Sequence, residues 1–132
     1  MTVLVGYVPN AYGEAALSAA AEESRRRGER LLVVNMSRDD VLVDAHRAGA
    51  EQLARVSRDL EELGVEYELR QLDQGNDAAE ELLRVAGDEA EKVSLLVIGL
   101  RHRSAVGKLL LGSAAQRILL EAPCPVLAVK TA

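Results

Sequence analysis

Residues 93–113 read VSLLVIGLRHRSAVGKLLLGS. The apolar run Val93–Ile98 predicts a buried strand. A glycine-rich, cationic segment, Gly99–Ser113, follows this strand, and the helical pattern of residues 114–120 follows the segment. Glycine lets the main chain approach a ligand closely, and a helix start offers unpaired N–H groups at the positive end of the helix dipole. The segment therefore lies where an α/β protein would hold a phosphate.

The charges of this segment point to the same kind of ligand. Arg101, Arg103 and Lys108 place three cations in a chain whose formal net charge is −5. A local cationic spot in an acidic protein suggests a small anionic ligand. It argues against nucleic acid and anionic membranes as partners, because both need a broad basic surface. The chain has no Trp and no Phe, so it also lacks the aromatic platforms on which single-stranded nucleic acid stacks.

The whole chain alternates strand patterns with helix patterns. Its 132 residues favour one domain over residues 1–132. Strands are predicted at residues 2–8, 30–36, 65–71, 93–98 and 126–130, and helices at residues 14–27, 44–63, 77–90 and 113–120. This alternation predicts an open, doubly wound α/β fold with a mostly parallel sheet and helices on both faces. Ligands of such sheets bind beyond the carboxyl ends of the strands where strand order reverses, and the loop after the fourth strand is a candidate for that place.

Local signals predict how several helices begin and end. Gly28 and Gly64 are expected to close the first two helices. Asn76 is a candidate N-cap for the third helix. Ser113-Ala-Ala-Gln116 has the spacing of a capping box, which predicts Ser113 as the N-cap of the fourth helix. A hydroxyl donated to a phosphate by Ser113 is compatible with that capping role.

Two common phosphate-binding motifs do not fit the sequence. The Gly107-Lys108 pair has His102 and Leu109 at the positions where a P-loop needs a glycine and a Ser or Thr. The dinucleotide fingerprint is absent as well, because Gly6 and Gly13 follow the first strand at the wrong spacing. Both a Walker-type NTPase and a Rossmann dehydrogenase are therefore unfavoured.

The sequence contains little that indicates a metal, redox or catalytic site. No second His or Cys lies at ligand spacing from His46 or His102, which makes a metal site improbable. Asp39 and Asp40 could enter a Mg²⁺-bound phosphate site, although a solvated loop is the favoured interpretation. The lone Cys124 is expected to be a small buried hydrophobe. No Ser/His/Asp or Cys/His grouping can be argued from spacing, so we expect no enzyme.

The location is expected to be cytoplasmic. No stretch is long and apolar enough to span a bilayer, and the N-terminus begins directly with a strand pattern, with no charged lead into a signal-type apolar region.

The closing third of the chain resembles the universal stress protein family, and the resemblance extends over nearly the full length. The family hallmark is a glycine, two residues, a second glycine, nine residues and then Gly-Ser or Gly-Thr. Gly99, Gly112 and Ser113 match its first, third and last positions, and Ala-Pro-Cys-Pro-Val-Leu-Ala-Val-Lys130 resembles the family's ending. The resemblance implies a five-stranded parallel sheet in the order 3-2-1-4-5, with ATP held in the nucleotide-binding members.

The resemblance also implies which positions form the nucleotide site. Residues expected to face phosphates are Gly99, Gly112, Ser113 and Ala114, and those expected to line the nucleoside pocket are Tyr7, Val8 and Met36. His102 replaces the second glycine, where an imidazole would either narrow the phosphate cradle or add a donor. Val8 replaces the family's usual Asp and cannot make polar contacts to the nucleoside through its side chain. Arg101 and Arg103 could compensate, since guanidinium groups pair well with phosphate.

Three functions remain open at this point. The first is a regulatory protein that binds ATP or AMP, with Mg²⁺, and turns over little or none of it. The second is a ligand-free homodimeric interaction module, in which the apolar edge strand Val126 to Lys130 is covered by a second copy. Slow ATP hydrolysis ranks last, because no residue can be named as the base that orients water.

Overall fold

The strands predicted from the apolar runs all form, and the helices between them connect the strands in parallel. The computed structural model describes residues 1–36, 43–72, 77–100 and 111–131, with the side chains of the second helix described from residue 50 onward. Within these residues the elements are β1 Thr2–Tyr7, α1 Ala11–Arg27, β2 Arg30–Asn35, α2 Val43–Leu63, β3 Tyr67–Gln71, α3 Ala78–Gly87, β4 Val93–Leu100, α4 Ser113–Glu121 and β5 Val126–Lys130.

The five strands make one parallel sheet in the order β3-β2-β1-β4-β5. This confirms the fold class and the strand order implied by the resemblance. The chain leaves β1 toward β2 on one side and later returns to β4 on the other side. The order therefore reverses between β1 and β4, which opens a crevice at their carboxyl ends.

Alternation along the strands builds two core layers. In β1, Val3, Val5 and Tyr7 face α1 and α2, whereas Leu4 faces α3 and α4. Helices therefore cover both faces of the sheet, as predicted. Each layer is a contiguous set of buried aliphatic side chains, the packing that doubly wound sheets require.

Helix α1 begins three residues earlier than the sequence pattern predicts. Asn10 is its N-cap and accepts a hydrogen bond from the Gly13 amide at 2.9 Å. The apolar periodicity is detectable only from Glu14 onward, because the first turn contains Gly13 and follows Pro9. At the other end Gly28 adopts φ 64° and closes the helix, as predicted.

Two predicted helix caps are wrong. Asp77 is the N-cap of α3 and accepts from the Glu80 amide at 3.0 Å, whereas Asn76 lies outside the described residues. Gly112, not Ser113, is the N-cap of α4, so Ser113 is the first helical residue. In both cases the N-cap is a residue adjacent to the predicted one, of a type that also occurs at N-caps.

The exposed edges of the sheet are β3 and β5. On β3, Glu68 and Arg70 join an ion-pair network with Arg30 and Glu91, in which Arg70 Nη2 lies 2.8 Å from Glu91 Oε1 and Arg30 Nη2 lies 3.0 Å from Glu91 Oε2. The hydrogen bond from Arg70 is the main reason that the pKa of Glu68 is lowered. Charged side chains on an edge strand discourage pairing with other chains. The β5 edge is more apolar.

Candidate functional site

A cavity of about 290 Å³ lies at the carboxyl end of the sheet, at the point where strand order reverses. Its walls come from the ends of β1 and β4, from the residue after β2, and from the first turns of α1, α3 and α4. It opens on the face covered by α3 and α4. Its volume is near the lower end of the range for small-molecule sites, about 300 Å³ upward.

Apolar side chains form the base of this cavity. Met36, Leu82, Ile98 and Ile118 line it, and three of them belong to the core layer under α3 and α4. Gly6 lies between them: a Cβ there would come within 2.8 Å of Leu82 Cδ1 and 2.9 Å of Met36 Cε. Gly6 thus allows these side chains to close over the end of β1, and the surface they form suits a flat apolar group.

Polar groups enter the cavity mainly from the main chain. Among the described residues that line it, none has a charged side chain, and Tyr12 and Ser113 carry the hydroxyls. The first turn of α3 contributes Ala78 and Ala79, but one of its amides is already bonded to the Asp77 cap. Such a site recognises a ligand through amides, a helix dipole and apolar contact.

Within the described residues, no side chain caps the first amides of α4. Its N-cap is Gly112, which forms no side-chain hydrogen bond, and Ser113 and Ala114 are exposed at the cavity rim. The Gln116 amide is already bonded to the Gly112 carbonyl at 3.0 Å, as the helix ladder requires. The amides before it and the positive end of the helix dipole therefore face the cavity, which favours an anionic group there.

Close backbone packing fixes the wall formed by α1. The Tyr12 carbonyl oxygen lies where a Cβ on Gly99 would be only 2.2 Å away. Similarly, a Cβ added to Gly13 would be only 1.8 Å from the Val8 carbonyl oxygen. The first turn of α1 thus packs on the ends of β1 and β4 without intervening side chains, so Gly99 is needed for packing whether or not it meets a ligand.

The structure brings most of the expected site residues together. Those at the cavity are Val8, Met36, Gly99, Gly112, Ser113 and Ala114. Tyr7 is not among its lining residues, because strand alternation directs its side chain to the opposite face. Arg101, His102 and Arg103 lie outside the described residues. Contact of any of these residues with a nucleotide stays a prediction.

Tyr7 has a different set of partners. Its ring is fully buried between β1 and the helices α1 and α2, and its hydroxyl donates to Glu14 Oε1 at 2.7 Å. Burial, and then the hydrogen bond to Glu14, raises the pKa of Tyr7 to about 12. The phenol is therefore neutral and acts as a donor at physiological pH.

Sequence reasoning missed the walls contributed by other elements. Gly6 could have been found, because it shares a strand face with Val8. The sequence gives no such signal for Tyr12, Ala78 and Leu82, because they line the cavity only as a result of how α1 and α3 pack.

The described residues give no sign of a metal site. Within residues 1–36, 50–72, 77–100 and 111–131, no group of three or more His, Cys, Asp or Glu side chains could hold a metal ion. Asp39 and Asp40 lie outside the described residues. Cys124 is half-buried, and burial raises the pKa of its thiol. No helix in the described part of the chain is long and apolar enough to cross a membrane.

Comparison with known proteins identifies the family. Residues 1–130 match the family model described as the universal stress protein family. The chain belongs to this family. A universal stress protein of Mycolicibacterium smegmatis is 48% identical to it over 97% of this chain and 96% of that protein.

Solved structures of the family share the fold. The universal stress protein of Archaeoglobus fulgidus superposes with a TM-score of 0.78 at 28% identity, covering 98% of each chain. The Archaeoglobus fulgidus protein in complex with dAMP gives a TM-score of 0.73 at 25% identity, again covering 98% of each chain.

Proposed function

We propose that this universal stress protein is a regulatory protein that binds a nucleotide, ATP or AMP, in the cavity between α3 and α4. The observation that carries the proposal is an apolar cavity that ends at the start of α4, where no described side chain caps the helix. These are the two surfaces that a nucleoside phosphate needs, one for the base and one for the anion. The related structure in complex with dAMP supports the choice of a nucleotide.

In this proposal the base and the phosphate occupy opposite ends of the cavity. The base packs on Met36 and the aliphatic floor, and Val8 contributes apolar contact and main-chain groups. The phosphate accepts hydrogen bonds from the amides of residues 112–114 and from the Ser113 hydroxyl, while Gly99 keeps the nearby backbone close. Arg101, His102 and Arg103 would supply further donors to the β- and γ-phosphates of ATP, which would enter with Mg²⁺.

We assign the protein a binding role rather than a catalytic one, in the cytoplasm. None of the described residues lining the cavity is a carboxylate or histidine that could orient water for attack on a phosphate. A nucleotide held this way would act as a signal, because it alters the surface at the helix starts without being consumed.

The experiment that tests the proposal is calorimetric titration of AMP and of ATP, with and without Mg²⁺, against the parent protein and Gly112→Val. A Cβ at Gly112 meets no atom of the described residues within 4 Å, so the variant should lose only about 1 kcal/mol of folding stability, as for a weakened helix cap. Its side chain would occupy the space proposed for the phosphate. We expect AMP to bind the variant at least about tenfold more weakly, equivalent to about 1.4 kcal/mol.

The matched control is Gly87→Val, at the end of α3 that is distant from the cavity. Of the described atoms, an added Cβ at Gly87 would contact only the Pro123 ring, at 3.8 Å. This variant should bind AMP like the parent. Failure of the parent to bind either nucleotide would refute the proposed function, and equal affinity of the parent and Gly112→Val would refute the placement of the phosphate.

We propose in addition that the protein forms a homodimer through β5, Val126 to Lys130. Among the described strands β5 pairs only with β4, and Leu127 on it is 36% exposed. Helix α4, which packs on the opposite face of the sheet from Leu127, also exposes Leu119 and Leu120. A second copy paired along β5 would cover an edge that otherwise invites aggregation.

Light scattering of the purified protein tests the dimer. We expect the parent to be dimeric, Leu127→Glu to be monomeric because its charge would be buried, and Leu63→Glu to stay dimeric. Leu63 is the matched control because it is also an exposed leucine, but it lies at the end of α2 and not on β5. A monomeric parent at high micromolar concentration would contradict this arrangement.

A further inference from the structure

Glu14 connects α1, β1 and α2 on the side of the sheet away from the cavity. It lies in the first turn of α1, and its Oε1 atom accepts hydrogen bonds from Tyr7 Oη, Gln52 Nε2 and Arg55 Nη2, each at 2.7 Å. Tyr7 belongs to β1, and Gln52 and Arg55 belong to α2. Bonds to an ionised carboxylate are stronger than neutral ones, and three of them on one oxygen restrict where the carboxylate can lie.

The same turn of α1 forms a wall of the cavity. Tyr12 lines the cavity, and its carbonyl is in contact with Gly99 on β4. On the N-terminal side, the Asn10 side chain holds the Gly13 amide at 2.9 Å, and the Asn10 amide donates to the Val8 carbonyl at 2.8 Å. The turn is therefore fixed at its start by backbone and cap contacts, and on the side away from the cavity by Glu14.

We propose that Glu14 is a positioning residue for the cavity, holding the first turn of α1 against β4 through its bonds to Tyr7, Gln52 and Arg55. As a result, α2 is coupled to ligand binding although Gln52 and Arg55 do not line the cavity. Breaking the bonds to α2 lets Tyr12 move away from Gly99 and opens the wall. This inference rests on the proposed nucleotide site for its binding readout, but its structural part does not need a ligand.

A second Tyr–Glu pair in the same protein provides a matched control. The Tyr67 hydroxyl donates to Glu61 Oε1 at 3.0 Å, linking β3 to the end of α2. Neither residue lines the cavity. Glu61→Ala therefore removes a carboxylate of the same kind from a Tyr–Glu bond without touching the first turn of α1.

The binding arm of the test measures AMP affinity by calorimetry for Glu14→Ala, Glu14→Gln, Arg55→Ala and Glu61→Ala, with urea unfolding of each ligand-free variant. We expect Glu14→Ala to weaken AMP binding by about tenfold and Arg55→Ala by about threefold, the size of effect expected for mutations that modulate the coupling between sites. Glu14→Gln should recover most of the affinity, because its amide oxygen still accepts hydrogen bonds. Glu61→Ala should bind like the parent even if it is equally destabilised.

The ligand-free arm measures amide hydrogen exchange of Gly13 and Glu14 and the chemical shift of the Gly99 amide. We expect faster exchange and a shifted Gly99 signal in Glu14→Ala, and neither change in Glu61→Ala. If the parent binds no AMP, the proposed function fails and this arm alone decides the positioning role. Unchanged exchange and shift in Glu14→Ala would overturn it, and so would unchanged AMP affinity in a protein that binds AMP.

Discussion

Gly13→Ala is expected to destabilise the protein by at least about 3 kcal/mol, the upper part of the range for overpacked sites. The added Cβ would lie 1.8 Å from the Val8 carbonyl oxygen and 2.8 Å from the Val8 amide nitrogen. Both atoms belong to the main chain, so no side chain can rotate away to relieve the clash. The total stability of a domain is only about 5–15 kcal/mol, and the loss would be a large fraction of it.

Helix propensity alone gives the opposite sign for this substitution. Gly13 lies in the first turn of α1, where alanine is favoured over glycine by up to about 1 kcal/mol. Urea unfolding of the ligand-free proteins therefore separates the two effects cleanly. Gly87→Ala is the control, because the nearest atom to its Cβ is 3.8 Å away, and we expect it to be neutral or slightly stabilising. A gain of stability in Gly13→Ala would show that α1 does not start against the end of β1.

The alternation of strands and helices could be predicted from the sequence because each element carries its own periodic pattern. Strands buried on both faces, such as Leu31–Val34, are continuous apolar runs, and α2 has an apolar stripe that includes Val56 and Leu60. The strand order could not be predicted in this way, because the hydrophobic pattern does not show which strands are neighbours. It came from the family resemblance, and the pairings of β1 with both β2 and β4 confirm it.

The sequence predicts only the parts of the site that lie in the segments directly following the strands. The loop that follows β4 was recognised from its glycines and its following helix, and Gly112–Ala114 do lie at the cavity. The family resemblance implies both Tyr7 and Val8 at the cavity, but neighbouring residues on a strand face opposite ways, so Val8 lines it together with Gly6 and Tyr7 does not. The α3 wall depends on a helix-to-strand contact far apart in sequence, for which no local signal exists.

The capping errors have a common cause. Asn76 and Asp77 are about equally favoured as caps, and Ser113 is favoured over Gly112, so residue preference alone does not predict the observed cap in either pair. The geometry chose Asp77 and Gly112. For α4 the difference has a consequence, because a glycine cap leaves its first amides unblocked by a side chain, which is the feature on which the proposed phosphate site depends.

Gly99→Ala is the second substitution with a large expected effect, a loss of about 2–3 kcal/mol from overpacking. Two explanations compete for the glycine at this position: close approach of a phosphate, or close approach of α1. An alanine Cβ would be 2.2 Å from the Tyr12 carbonyl oxygen and 2.8 Å from its carbonyl carbon, so the structure favours packing. Gly112, the other motif glycine in the described residues, differs because a Cβ there meets none of their atoms within 4 Å.

Unfolding the two alanine variants without ligand distinguishes these explanations. If close packing against α1 is the reason that a glycine is needed at position 99, Gly99→Ala loses about 2–3 kcal/mol of stability. Gly112→Ala then loses under about 1 kcal/mol, the usual cost of a weakened cap. If both glycines served only the ligand, both variants would be as stable as the parent. A stable Gly99→Ala would mean that the first turn of α1 lies farther from β4 than the structure places it. The wall of the cavity would then be looser than the Tyr12–Gly99 contact implies, and the positioning role of Glu14 would lose its physical basis.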